Sequence, residues 1–247
     1  MKLDITEQML FALLRSALHG THADATIFAG ITSEAWQECY RLSVRQGVMA
    51  LAWDGLITLP TELQPPKSLK INWWLAVERC EKRYRYYCRV ISDLSTFYAT
   101  HGITAVQLKG VGFANNYPIP SHREGGDIDI FTYSADSSGL SDREANSLAD
   151  KLMRGRGIEV DFSHSQKHSM FYYKGIPIEN HKKFLNTEIY RTAVSMDILL
   201  RKLLRPRLTV LDGKYEVLTP SPDFNTVFLA FHSAQHYACR LYTSDAA

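Results

Sequence analysis

The stretch Gly125-Gly126-Asp127-Ile128-Asp129-Ile130-Phe131 decides how this chain is to be read. Its two glycines mark a loop, and the strict alternation that follows marks a strand. Residues i and i+2 of a strand share a face. Ile128 and Ile130 therefore point into a core, while Asp127 and Asp129 share the opposite face, about 6.6 Å apart along the chain. Two carboxylates held that close repel unless positive charge lies between them. A divalent cation answers this, and Mg²⁺ in particular takes a few carboxylate oxygens together with phosphate oxygens and water. The pair alone is weak evidence, because an edge strand can present two aspartates to solvent.

The flanking sequence adds to it. Thr104-Ala105-Val106-Gln107-Leu108 is a short β-like run ended by Lys109-Gly110, where the missing side chain lets backbone approach a phosphate. Gly112 to Asn116 reads as one or two helical turns, closed by Tyr117-Pro118-Ile119-Pro120. Arg123 follows, with a planar guanidinium that matches phosphate oxygens. Downstream, Ser141 with Glu144 three residues on forms a capping box that opens a helix to Arg154. Ile158–Phe162, Ser169–Tyr173 and Ile176–His181 read as three more strands, the last two joined at Lys174-Gly175. Glu179 lies on the last of these, while Glu159 and Asp161 alternate on the first, and both sets compete for the place of a third carboxylate. Two carboxylates on one strand and a third on a neighbour suit two-metal phosphoryl transfer.

Helices surround this region. Met9, Leu10, Leu13, Leu14 and Leu18 recur at helical spacing, with Gly20 as a stop. A second helix fits Ser33 to about Gly47, with Ser33 as its N-cap. A long one fits Ser68 to Thr100 and carries Trp73, Trp74, Tyr84 and Tyr98 among many basic residues. Ile189–Leu204 is amphipathic, Leu208–Leu218 resembles a hairpin turning at Asp212-Gly213, and Pro222–Arg240 begins another helix. The expected class is α+β, with a small mixed sheet between helical regions. The expected division is a helical region at 1–100, a catalytic core at 101–220 and the start of a C-terminal helical region at 221–247.

Composition narrows the class. The 247 residues are 45% hydrophobic and 22% charged, which are ordinary globular values. A net charge of +2 is too small to argue for nucleic-acid binding by itself. Cys39, Cys80, Cys88 and Cys239 form no CxxC pair, so they read as reduced thiols of a cytoplasmic protein. No apolar run suggests a membrane span, and the N-terminus lacks a signal-peptide layout.

Leu108-Lys109-Gly110, Tyr117-Pro118, Arg123 and Gly126-Asp127-Ile128-Asp129-Ile130, followed by Glu179-x-His181, resemble the DNA polymerase beta-type nucleotidyltransferase superfamily. Within it they are most similar to the bacterial uncharacterised nucleotidyltransferase family. The likeness is specific over residues 105–131, holds over 168–183 and extends to helices at 33–57 and 222–240. It implies a short mixed sheet with flanking helices. The implied activity is Mg²⁺-dependent transfer of a nucleoside monophosphate from an NTP such as ATP, with Mn²⁺ as an alternative metal. The acceptor (a small molecule, a protein or an RNA) is not named by it. It further implies Asp127, Asp129 and Glu179 as metal-binding catalytic carboxylates, with Lys109, Gly110 and Arg123 on the triphosphate. His181 and His168 are implied as substrate or supporting residues. One departure from the superfamily is Gly110-Val111, where Gly-Ser or Gly-Gly is usual; the pair is usual in this subfamily, the phosphate-contacting serine is missing, and Lys109 could substitute for it as a phosphate ligand.

Other residues have quieter readings. His164 fits a loop. His232 and His236, four apart on a helix, could share a metal but lack a HExxH glutamate, so packing is the better expectation. Lys82, Arg83, Arg85 and Arg89 fit a solvated helix face, or an RNA-contacting face in a toxin-like RNA-modifying enzyme. A catalytically inactive nucleotide-binding or regulatory module is the other alternative. The tail Leu241–Ala247 resembles translated read-through of a sequencing adapter, so a longer native protein with further C-terminal helix is expected.

Overall fold

A computed structural model describes residues 3–135, 139–162, 167–188 and 192–244, with side chains described up to residue 235. The side chain of His236, the residues around His164 and the tail-end reading therefore fall wholly or partly outside the described residues. The chain divides into two compact units, one of residues 1–88 with 113–126, the other of 89–112 with 127–247.

The first unit is helical. Helix α1 (Ile5–His19) starts at a capping box between Asp4 and Glu7 and stops at Gly20 in the left-handed region. Helices α2 (Ala25–Phe28) and α3 (Ser33–Arg45) follow. Thr32 rather than Ser33 caps α3: its extended backbone lets its hydroxyl accept from the Ala35 N–H at 3.3 Å. Helix α4 (Met49–Leu56) lies beyond the Gly47 limit of the periodicity. Its sequence is apolar nearly all round and lacks a capping side chain, so neither stripe nor cap announces it. Gly55 of α4 is pressed against α1; a Cβ there would lie 2.1 Å from the Leu13 carbonyl oxygen. Helix α5 (Lys67–Ala99) gives its first two-thirds to this unit. Met9, Leu13, Phe28, Trp36, Leu56 and Trp73 form the core, and the Trp73 indole donates to the Met49 carbonyl at 2.9 Å.

The segment 113–126 belongs to this helical unit and is pinned by His122. The His122 ring is buried. Its Nδ1 lies 2.8 Å from Asp54 and its Nε2 3.1 Å from Glu81. Glu124 accepts from the Ala50 N–H at 3.2 Å, and the Tyr87 hydroxyl donates to the Gly126 carbonyl at 3.1 Å.

The second unit contains a seven-stranded mixed sheet in the order β3-β4-β5-β2-β1-β7-β6. The strands are β1 (Ile103–Gln107), β2 (Ile128–Ser134), β3 (Val160–Asp161), β4 (His168–Tyr173), β5 (Ile176–His181), β6 (Arg207–Leu211) and β7 (Tyr215–Thr219). The β3 pairing is shorter than the alternation at 158–162 suggests. Helices α6 (Asp142–Gly155), α7 (Thr192–Leu203) and α8 (Pro222–Ser244) complete the unit. The two hairpins turn at Lys174-Gly175 and Asp212-Gly213, each with both residues at positive φ, as a type I′ turn requires.

Strand β2 is central and pairs antiparallel with β1 and parallel with β5, setting Asp129 opposite Glu179 and Phe131 opposite His181. A buried polar layer lies on the other face. Thr132 donates to Asn180 at 2.8 Å. Asn146 of α6 donates to Thr132 and Asn180, each at 3.0 Å. Asn180 and Ser169 donate to Asp150 at 2.9 and 2.7 Å. Each partner satisfies another, so the layer fixes the register of β2, β5 and β4 against α6.

Candidate active site: a carboxylate cluster on the central strands

Asp127 stands just before β2, Asp129 on it, and Glu179 beside it on β5. One oxygen from each lies within 4.8 Å of the others. The alternation on β2 places the first two on one face, and the parallel register supplies the third. Asp129 is 0% exposed, so the pair is not a solvent-facing edge feature. Asp129 Oδ1 is held by His181 Nε2 at 2.9 Å and by the Lys109 ammonium at 3.0 Å. Its Oδ2 is buried and has no hydrogen-bond partner among the described residues. His181 Nε2 also lies 3.3 Å from Glu179. His168, facing His181 across the β4–β5 pairing, puts Nδ1 3.6 Å from Glu179.

Gly110 follows Lys109 with φ of 64°, and a Cβ there would stand 3.3 Å from the Asp127 carbonyl. A side chain at this position would thus be both strained and crowded. Of the residues read from sequence, Asp127, Asp129, Glu179, Lys109, Gly110, His181 and His168 all fall in this one unit around the cluster. Arg123 falls in the helical unit, where its guanidinium donates to the Glu124 carbonyl at 3.2 Å. Strand β4 separates β3 from β5, so Asp161 and neighbouring Glu159 do not join the carboxylates. His232 Nε2 lies 3.5 Å from the Lys109 ammonium.

Over residues 32–244 the sequence matches the family described as Uncharacterised nucleotidyltransferase. The chain belongs to that family. No curated protein and no solved structure matches it.

The electrostatics of the cluster follow from burial and neighbours. Burial disfavours the Asp129 carboxylate, but the hydrogen bond and charge of His181, with Lys109, hold its pKa below the usual range. Burial and the Asp129 charge push Asp127 up. Glu179 is lowered despite burial, chiefly by its bond to His181. Burial opposes the His181 imidazolium, yet bonds to Asp129 and Glu179 raise its pKa. Lys109 is likewise raised by Asp129 and Asp127 against the effect of burial. Sequence reading missed Lys167, at the head of β4, whose pKa is lowered by burial and then by the Lys109 charge. A lone lysine beside a loop carries no pattern that would mark it.

The donor set fits a divalent cation. Three carboxylates converge, and a buried Asp129 oxygen is left unpaired among them. Oxygen ligands of this kind suit a hard ion such as Mg²⁺. The basic stretch on α5 behaves as a solvated face: Lys82 pairs with Glu78 and Arg85 with Glu81, each at 3.6 Å one turn away. Among the described residues no helix is long and apolar enough to cross a membrane.

Proposed function

We propose that this chain is a Mg²⁺-dependent nucleotidyltransferase of the DNA polymerase beta type. It would transfer a nucleoside monophosphate from an NTP to a hydroxyl acceptor and release pyrophosphate. The observation that carries this reading is the convergence of Asp127, Asp129 and Glu179 within 4.8 Å, with Asp129 Oδ2 buried and unpartnered. Asp127, Asp129 and Glu179 would hold the cation. Bound there, it would screen the carboxylates and stabilise negative charge on the triphosphate.

The residues of the chain supply the rest. The acceptor oxygen attacks the α-phosphorus, the bond from that phosphorus to the β-bridging oxygen breaks, and pyrophosphate leaves. Glu179, ionised at neutral pH as a carboxylate ordinarily is and kept so by its bond to His181, accepts the hydroxyl proton. The Lys109 ammonium, 3.0 Å from Asp129, and the backbone at Gly110 neutralise the triphosphate. His181 fixes the Asp129 carboxylate, with its Nδ1 donating to the Lys183 carbonyl at 3.2 Å. Buried reduced thiols at Cys39 and Cys80 are in keeping with a reducing cytoplasm.

The test is calorimetric titration with each NTP, with and without Mg²⁺, on the parent, Asp127→Asn and Asp129→Asn, together with pyrophosphate release over an acceptor panel. Binding should need both Mg²⁺ and the two aspartates. Transfer that survives both substitutions would overturn the mechanism. One observation favours the alternative of a nucleotide-binding module without turnover: Val111, buried, stands where a phosphate-contacting serine is usual. Mg²⁺-dependent binding without pyrophosphate release on any acceptor would select it.

A further inference from the structure

The sheet unit holds a second feature that nucleotidyl transfer does not use. A cavity of about 660 Å³ lies between the first half of α6, the second half of β2 and the residues that follow β5. That volume is typical of a small-molecule site. Its lining includes Arg143, Lys182, Lys183 and Arg201, against one carboxylate, Asp142. The Asp142 carboxylate accepts from the Ser134 backbone N–H at 3.4 Å.

These cations are not used up by their neighbours. Lys183 pairs with Glu188 at 3.6 Å, and Arg201 Nε with Asp197 at 3.3 Å. The Asp197 carboxylate also accepts from the backbone N–H groups of Phe184 and Leu185 at 2.6 and 3.2 Å, so its charge is shared with the loop. Arg143 forms no ion pair among the described residues; Lys182 forms none either, though its ammonium lies 4.9 Å from the Phe162 ring centre and its charge favours the Asp150 carboxylate. Arg201 is also pre-positioned. One Nη donates to the Lys182 carbonyl at 2.6 Å, and the guanidinium lies 5.4 Å from the Phe131 ring centre. It has five N–H donors in all, and these bonds leave several for a ligand. Four cations around one concave space repel one another, and an anion entering it would relieve that repulsion.

We propose that this cavity binds a phosphate-bearing small molecule, at a site separate from the carboxylate cluster. Phosphate is the favoured anion because it carries more charge and more acceptor oxygens than a carboxylate, and arginine forks match its geometry. The volume leaves room for the remainder of the ligand. The position beyond the carboxyl end of β5, which runs parallel to β2, is where parallel strands commonly receive ligands.

The experiment is calorimetric titration with inorganic pyrophosphate in EDTA at low salt, so that metal-mediated binding is removed, with citrate as a carboxylate control. The parent, the double variant Arg143→Gln/Lys182→Gln and the double variant Asp127→Asn/Asp129→Asn are compared, each checked for folding by circular dichroism. Pyrophosphate should bind the parent saturably. The Arg143/Lys182 variant should lose at least about tenfold in affinity, with a shallower salt dependence. The aspartate variant should bind as the parent does. No saturable binding to the parent, or equal affinity in the Arg143/Lys182 variant, would overturn the proposal. So would an affinity that follows the aspartates instead, or citrate binding as tightly as pyrophosphate. Because the aspartate variant disables only the proposed metal site, failure of one reading is distinguishable from failure of the other.

Discussion

His122→Gln should destabilise the helical unit in a pH-dependent way. His122 bridges Asp54 at 2.8 Å and Glu81 at 3.1 Å from opposite ring nitrogens. Burial opposes the imidazolium, yet the hydrogen bonds and charges of the two carboxylates outweigh it and raise the pKa above 6.5. Each charge-assisted bond contributes about 1.5–3 kcal/mol when its alternative is an unpaired buried group. The two are not equal. The Asp54 side chain is only 12% exposed and stays desolvated when its partner is removed, whereas that of Glu81 is 28% exposed and can recover water. Counting Asp54 in full and Glu81 in small part gives about 2–4 kcal/mol at pH 6.

The sign with pH follows from the raised pKa. The folded state binds the proton more tightly than the unfolded chain, so the extra stability is complete below about pH 6.5 and is lost as pH rises through the higher folded value. Denaturant unfolding of the parent and the variant at a series of pH values measures the difference directly. It should be largest at pH 6 and shrink toward pH 9, where the parent carries a neutral ring between two carboxylates. A difference below about 0.5 kcal/mol at pH 6, within the range of an ordinary surface substitution, would refute the clamp. So would a difference that grows with pH.

Gly55→Ala should cost more than about 3 kcal/mol and lower the yield of folded protein, because its Cβ would meet backbone of α1 at 2.1 Å; thermal unfolding measures this. Gly110→Ala should cost about 1–2 kcal/mol through its positive φ. In calorimetry it should also weaken Mg²⁺–NTP binding, since the Lys109-Gly110 turn must shift. Asn180→Leu should cost about 2–4 kcal/mol by leaving Asp150, Asn146 and Thr132 short of partners, and denaturant unfolding reads it. Asp129→Asn should change stability by far less than it changes Mg²⁺ affinity, because the amide oxygen still accepts from His181 and Lys109, while the charge that attracts the cation is lost.

The carboxylate cluster was legible because its signal is local. Alternation on β2 assigns Asp127 and Asp129 to one face whatever the strand packs against, and a single parallel register then brings Glu179 and His181 alongside. The loops that carry Lys109-Gly110 and the two hairpin turns are marked by glycine for the same reason, since backbone conformation is a property of a few residues. What could not be read is set by partners far away in the chain. Asp54, Glu81 and His122 meet only when three segments have packed, and none of them sits in a pattern of its own. The same holds for Asp150, an exposed-looking residue on an amphipathic helix that becomes a buried acceptor once β4 and β5 present Ser169 and Asn180.

That difference bears on how the site is built. The residues with local signatures supply the charged groups of the carboxylate cluster, while those without them (Thr132, Asn146, Asp150, Asn180) hold the strands that carry the charge. Glu179 and His181 flank Asn180, so one strand presents the carboxylate and imidazole on one face and anchors itself to α6 through the other. A substitution on the anchoring face therefore moves Glu179 relative to Asp129 without removing any of the proposed ligands. Metal affinity should fall with the geometry, and that loss should track strand register rather than charge.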